Sequence, residues 1–125
     1  MEKIKSYKDL VVWQKAHTDS LEIIELVEDF KWCRSLDVIG KQLIRSITSV
    51  GANIAEGYGS FQGKEYLTFL VFALRSAWES DNWLTLLKDS TKLKDRFDVN
   101  LLESIQSRNM EVIRMLSAII KKLRK

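Results

Sequence analysis

The chain has 125 residues, a formal net charge of +3 and 46% hydrophobic residues, with no proline. This length is typical of one domain with its own core, and the absence of proline favours helices over a loop-rich fold. The small net charge excludes a dedicated basic nucleic-acid-binding arm, although residues 1–30 are acidic and residues 97–125 are basic. We therefore expect one all-α domain spanning residues 1–125.

Helix 1 is predicted over residues 9–30, with Asp9 as its N-cap. Its apolar residues recur at steps of three and four, as in an amphipathic helix. These inward residues are Leu10, Trp13, Ala16, Ile23, Ile24, Val27 and Phe30.

Helix 2 is predicted over residues 36–56, after a cap at Ser35. One side carries large apolar residues at bundle spacing. The opposite side carries small residues where a solvated helix would carry Lys and Glu, which permits close approach of another backbone. These small residues are Thr48, Ser49, Gly51, Ala52 and Ala55.

A glycine-rich break is predicted at residues 57–63, because three glycines in seven positions disfavour a helix. Helix 3 is predicted over residues 64–90, with an inward stripe and a second apolar stripe on its outer side that also requires cover. The inward residues are Tyr66, Leu70, Ala73, Ala77 and Leu84, and the outer ones are Val71, Phe72, Trp78 and Leu86.

Helix 4 is predicted over residues 99–123, with Asp98 as its cap and apolar residues at near-heptad spacing. Four long helices joined by short connections pack most simply as an antiparallel four-helix bundle. The fold class that we predict is therefore all-α.

The location of the protein is constrained by three features. Cys33 is the only cysteine, so it has no intramolecular disulfide partner, and residues 1–6 lack the apolar core of a signal peptide. The longest apolar stretch, residues 69–74, falls far short of the roughly 20 residues that cross a bilayer. We expect a cytoplasmic protein with no membrane partner.

Three segments resemble a known family: residues 9–16 (DLVVWQKA), residues 53–59 (NIAEGYG), and Glu65 with Phe69-Leu70 and Glu79. Together they resemble the bacterial four-helix-bundle proteins encoded within intervening sequences of 23S ribosomal RNA genes. The resemblance implies a homo-oligomer, a ring of five subunits. It also implies distant kinship with the accessory protein of diversity-generating retroelements, which binds nucleic acid beside a reverse transcriptase.

The sequence departs from the family pattern at three positions. The family tends to have arginine where Ile44 and Ser60 stand, and glycine where Arg75 stands. Two expected basic positions are therefore missing, which predicts weaker nucleic-acid binding.

Catalytic and cofactor chemistry find little support. His17 is the only histidine, and a di-iron bundle would need glutamate three residues before it, where Gln14 stands. The glycine-rich break is not a phosphate-binding loop, because Glu65 follows Gly63-Lys64 and no strand precedes it. We expect a protein without enzymatic activity, metal or cofactor.

Polar and apolar residues on the outer sides of helices 2 and 3 predict an oligomer interface. Arg75 and Glu79 are spaced for an ion pair within helix 3. Paired carboxylates could perform acid–base catalysis, but a network that sets the register of helices or subunits is the favoured interpretation. The predicted interface consists of Arg45, Ser49, Ala52, Glu56, Val71, Phe72, Arg75, Trp78 and Glu79.

Positive charge concentrates at the end of helix 4, where it could contact phosphate or complement the helix dipole. We predict an accessory protein that binds RNA, DNA or a nucleic-acid enzyme; the alternative is a structural or protein-interaction scaffold. The predicted nucleic-acid-binding residues are Arg114, Lys121, Lys122, Arg124 and Lys125.

Overall fold

A computed structural model describes residues 3–60 and 63–125, and these residues contain four long α-helices and no β-strand. The predicted all-α four-helix bundle is thereby confirmed. Two short 3-10 turns, Tyr7–Asp9 and Lys94–Arg96, precede the first and last helices. The helices are α1 (Val11–Glu28), α2 (Arg34–Ser60), α3 (Gly63–Asp89) and α4 (Val99–Leu123).

Each helix runs antiparallel to the next. Between α2 and α3, the Ser46 hydroxyl contacts Ser80 at 2.8 Å, and the Ser49 hydroxyl accepts from Ser76 at 3.0 Å. Residues later in α2 therefore contact residues earlier in α3. Helix α4 packs against both α3 and α1, which closes the bundle. The first and last helices are thus neighbours in space.

The core consists of two hydrophobic clusters, one toward each end of the bundle. The cluster near the α2–α3 connection includes Val12, Ile54, Leu70 and Leu116, all buried. The opposite cluster includes Ile23, Leu36, Leu43, Leu84, Leu102 and Ile105. Every helix contributes to both clusters, because its apolar residues recur with the helical period.

The starts of the first three helices differ from the prediction, and α3 begins at Gly63, one residue before the predicted Lys64. Ser6, rather than Asp9, caps the first turn: its hydroxyl accepts from the Lys8 N–H at 3.2 Å, and the Asp9 carboxylate accepts from the Lys5 and Ser6 N–H groups. Those backbone hydrogen bonds hold the pKa of Asp9 below its ordinary value. Helix α2 begins at Arg34, one residue before the predicted cap Ser35.

Helix α4 begins and ends where the sequence predicts. The Asp98 side chain accepts from the Leu101 N–H at 3.1 Å and caps the helix. The prediction succeeds because an N-cap side chain bonds to backbone N–H groups two or three residues later, so the local sequence specifies it.

Helix α2 extends through part of the predicted glycine-rich break and ends at Ser60. The Cβ of any larger residue at Gly57 would lie 2.9 Å from the Phe69 Cβ and 3.2 Å from the Tyr66 Cδ1. Gly57 is therefore explained by close helix packing and not by a turn. The prediction for Phe61 and Gln62 lies outside the described residues.

Candidate assembly and nucleic-acid surfaces

The outer side of α3 exposes three large apolar side chains. Phe72, Trp78 and Leu86 are 44%, 50% and 45% exposed, respectively. Val71, the fourth member of the predicted stripe, is half-buried and packs against the cluster that contains Leu70. The bundle by itself therefore leaves most of this stripe in contact with water.

The predicted ion pair between Arg75 and Glu79 is replaced by an interhelical one. The Glu79 carboxylate pairs with the Arg45 guanidinium of α2 and accepts from the Trp83 indole N–H at 3.0 Å. Among the described ion pairs, none joins Arg75 to Glu79. Arg75 is exposed beside the apolar stripe.

The remaining predicted interface residues divide into two groups. Ala52 and Glu56 are exposed on α2, together with Arg45. Ser49 is half-buried, and its hydroxyl accepts from Asn53 at 2.9 Å as well as from Ser76 of α3. Ser49, Glu79 and Arg45 thus join α2 to α3 within one chain, whereas Ala52 and Glu56 remain exposed on α2.

A second exposed apolar surface lies between α1 and α2, where sequence analysis did not find it. Leu21 and Ile24 are 54% and 45% exposed, so Ile24 does not face the core as predicted. With Trp13, His17 and the small residues of α2, they line a groove of about 340 Å³. The small residues Thr48, Gly51, Ala52 and Ala55 therefore face this groove.

The basic end of α4 forms a small concave surface. Lys121, Lys122 and Lys125, together with Ala118, line a depression of about 220 Å³. Arg114 and Arg124, the other predicted nucleic-acid-binding residues, are exposed on the same helix and at its C-cap. Three lysines therefore concentrate positive charge around one recess at the end of α4.

His17 has a stacking partner and no ligand set. Its ring lies parallel to the Trp13 indole at 4.5 Å between centroids, and Tyr7 packs edge-on against Trp13 at 5.0 Å. Across the described residues, no group of three or more His, Cys, Asp or Glu side chains could hold a metal ion. No described helix has the length and apolar character needed to span a membrane.

Among the residues that the structure describes, four polar ones are buried, one from each helix: Asp19, Ser46, Ser80 and Asn109. On α1, α3 and α4 they fall between the residues of the two hydrophobic clusters, and on α2 Ser46 lies next to Ile47, at the edge of one cluster. We call these four residues the polar layer. The Asn109 amide donates to the Ala77 carbonyl at 2.9 Å, and Ser46 contacts Ser80.

Asp19 is the charged member of the polar layer and is fully buried. Arg108 of α4 donates from one nitrogen to Asp19 Oδ1 at 3.0 Å and to Glu22 Oε1 at 2.7 Å. Burial raises the pKa of Asp19 to about 7, against the opposing hydrogen bond and charge of Arg108. The same pair of carboxylates raises the pKa of Arg108, with the Glu22 hydrogen bond as the main cause.

Sequence analysis did not identify Asp19 or Arg108 as important. The available signal was the position of Asp19, three residues after Ala16 and four before Ile23, on the inward side of a helix. A carboxylate at such a position requires a buried partner. That partner lies 89 residues away, on α4.

The chain is similar to a described protein family and to a solved structure. The family model of the 23S rRNA-intervening sequence protein matches residues 8–118. A crystal structure of a protein of unknown function from the S23 ribosomal protein family of Bacteroides thetaiotaomicron has a TM-score of 0.76 and 30% sequence identity, and the match covers 89% of this chain and 99% of that one. No functionally curated protein matches significantly. Since the family model spans most of the sequence, the chain belongs to the family of 23S rRNA-intervening sequence proteins.

Proposed function

We propose that this protein is a non-enzymatic, self-associating helical module that binds nucleic acid through the C-terminal end of α4. The observation that carries the proposal is the recess lined by Lys121, Lys122 and Lys125. Three lysines around one depression suit a phosphate group, because ammonium groups bind phosphate oxygens as point charges.

The family name, with its reference to 23S rRNA, agrees with a role near nucleic acid. So does the kinship with the retroelement accessory protein that the sequence resemblance implies. Both are consistent with binding and do not require catalysis by the protein.

Self-association is supported by the exposed apolar residues on α3. A large apolar side chain contributes about 1.5–3 kcal/mol when fully buried, so covering Phe72, Trp78 and Leu86 would stabilise an oligomer substantially. Arg75 is exposed on α3 between Phe72 and Trp78 in sequence, where it would add a polar group to the interface. A ring of five is the assembly that the resemblance implies.

Assembly would also strengthen nucleic-acid binding. A closed oligomer repeats the basic recess, and linked sites can raise apparent affinity by roughly 10²–10⁴ when one strand reaches them together. One subunit alone, with a net charge of +3 and without arginine at Ile44 and Ser60, would bind weakly.

The second candidate function is a protein-interaction scaffold, favoured by the exposed groove between α1 and α2.

Nucleic-acid binding is tested by fluorescence anisotropy with labelled RNA and duplex DNA at two salt concentrations. The test variant carries Lys121→Glu, Lys122→Glu and Arg124→Glu. The matched control carries Lys88→Glu, Lys92→Glu and Lys94→Glu, which make the same charge change on exposed residues at the opposite end of the bundle.

We expect wild type and control to bind, with log affinity falling by about 0.9 per phosphate contact for each tenfold rise in salt on duplex DNA. The test variant should lose binding. Equal binding by a test variant that remains folded and assembled would exclude this site. Wild type that does not bind either nucleic acid would favour the scaffold.

Self-association is tested by light scattering on the purified protein. Wild type should have several times the 14.5 kDa mass of one chain, and Trp78→Glu should dissociate it. Trp32→Glu is the matched control, since Trp32 is 74% exposed in the connection between α1 and α2. A wild-type monomer at micromolar concentration, or an assembled Trp78→Glu, would refute the α3 interface.

A further inference from the structure

The polar layer contains one member whose hydrogen bonding is incomplete. Ser46, Ser80 and Asn109 are neutral and have partners within the bundle. Asp19 accepts from Arg108 through Oδ1, but its buried Oδ2 has no hydrogen-bond partner among the described residues. An ionised carboxylate with an unpartnered oxygen is costly in a hydrophobic interior.

The charges around Asp19 do not balance when it is ionised. Helix α1 contributes Lys15 and Glu22, and α4 contributes Arg108 and Glu111, which pairs with Lys15 at 2.8 Å. The buried residues of α2 and α3 are all uncharged. Two cations therefore face three carboxylates, and this group becomes neutral when Asp19 binds a proton.

Arg108 cannot fully compensate the Asp19 charge, because the same nitrogen also donates to Glu22. The Glu22 side chain is only 27% exposed and forms its own ion pair with the guanidinium. The Asp19 carboxylate thus shares its cation with a second acid while its other oxygen lies against the core.

We propose that Asp19 is a proton-controlled latch between α1 and α4, which holds the first and last helices together more tightly when its carboxyl is neutral. The latch responds near neutral pH, since burial places the pKa of Asp19 at about 7. The ordinary value is 3.8, so most exposed aspartates remain ionised throughout this range.

The direction of the pH dependence follows from these two values. Between about 3.8 and about 7 the folded chain binds the Asp19 proton and the unfolded chain does not. Stability is therefore greatest at the acidic end of this window, falls as pH rises through it, and becomes level above about 7. The folding equilibrium constant should fall by up to about tenfold per pH unit, or about fiftyfold between pH 5 and pH 7, because the folded-state carboxyl is half ionised at pH 7.

The test is urea denaturation of the full chain at fixed protein concentration, from about pH 5 to about pH 8.5. Asp19→Asn removes the charge while its side-chain oxygen can still accept from Arg108. Glu25→Gln is the matched control, because it neutralises an exposed carboxylate on the same helix, outside the charged group around Asp19. Light scattering at each pH separates a change in assembly from a change in folding.

We expect wild type and Glu25→Gln to lose stability as pH rises, and Asp19→Asn to lack the roughly fiftyfold component. Carbon-13 NMR titration of the wild-type carboxyl gives a measurement that does not depend on any variant folding, and its midpoint should lie near 7. Parallel curves for wild type and Asp19→Asn, or an NMR midpoint near the ordinary aspartate value, would overturn the proposal.

Discussion

The close contact between α2 and α3 at Gly57 provides a sharp test of the packing. A Cβ at Gly57 would lie 2.9 Å from the Phe69 Cβ, 3.2 Å from the Tyr66 Cδ1 and 3.4 Å from the Tyr66 carbonyl oxygen. Carbon atoms in optimal contact are about 3.5–4.0 Å apart. Because the Phe69 Cβ is attached directly to the backbone, Gly57→Ala must displace α3 and not merely rotate a side chain.

The magnitude follows from two opposing effects. Overpacking of this kind costs about 1–3 kcal/mol. Replacing glycine by alanine inside a helix contributes about 0.5–1 kcal/mol in the other direction. We expect Gly57→Ala to lower the free energy of unfolding by up to about 2.5 kcal/mol, as the difference of these effects.

Gly59→Ala is the matched control in the same helix. A Cβ at Gly59 meets no atom within 4 Å, so this substitution should gain up to about 0.5–1 kcal/mol of helix propensity without a packing cost. Both variants should be compared with wild type by urea denaturation at one protein concentration. If Gly57→Ala stabilises the protein as much as Gly59→Ala does, α2 and α3 do not approach as closely as the structure indicates.

Two further predictions address α4. Leu116→Ala should lower the free energy of unfolding by about 2–5 kcal/mol, because Leu116 is fully buried, whereas Leu123→Ala, at a 42% exposed position near the helix end, should change it by about 0.5 kcal/mol or less. Equal effects in thermal or urea unfolding would contradict the assignment of the core. Asp98→Ala should lower the free energy of unfolding by about 0.5–2 kcal/mol, because it removes the acceptor for the Leu101 N–H. Asp98→Asn should retain most of that stability. If both variants unfold like wild type, the cap does not stabilise the helix.

The number, type and approximate extent of the helices follow from the pattern of residues along the chain. Apolar residues at three- and four-residue steps specify the buried side of a helix without knowledge of its partner. Leu70, Ala73, Ala77 and Leu84 were accordingly predicted to face inward, and all four are buried. The Asp98 cap and the bounds of α4 were predictable for the same reason, since capping is a local interaction.

Other assignments depended on which helices meet. The glycine-rich sequence around Gly57 is typical of a turn, yet Gly57 lies within α2. Its missing side chain allows Phe69 and Tyr66 of α3 to approach the helix closely. Ile24 has the period of a core residue but is 45% exposed, because the neighbouring helix leaves a groove beside it. Neither result can be read from one helix alone.

The predicted surfaces show the same division. The described residues that line the basic recess, Ala118, Lys121, Lys122 and Lys125, all come from the end of α4, so this surface follows from local helical spacing. Glu79 was assigned to Arg75 by its local spacing, while the bundle pairs it with Arg45 of another helix.

Asp19 depends most strongly on tertiary structure. Its sequence position indicates an inward side chain, but its partner, Arg108, is 89 residues away and is also shared with Glu22. Local sequence fixes which side of a helix is apolar, because the helical period requires only neighbouring residues. The environment of a buried charge is decided by the groups that surround it in space, and only the packed bundle brings α1 and α4 together.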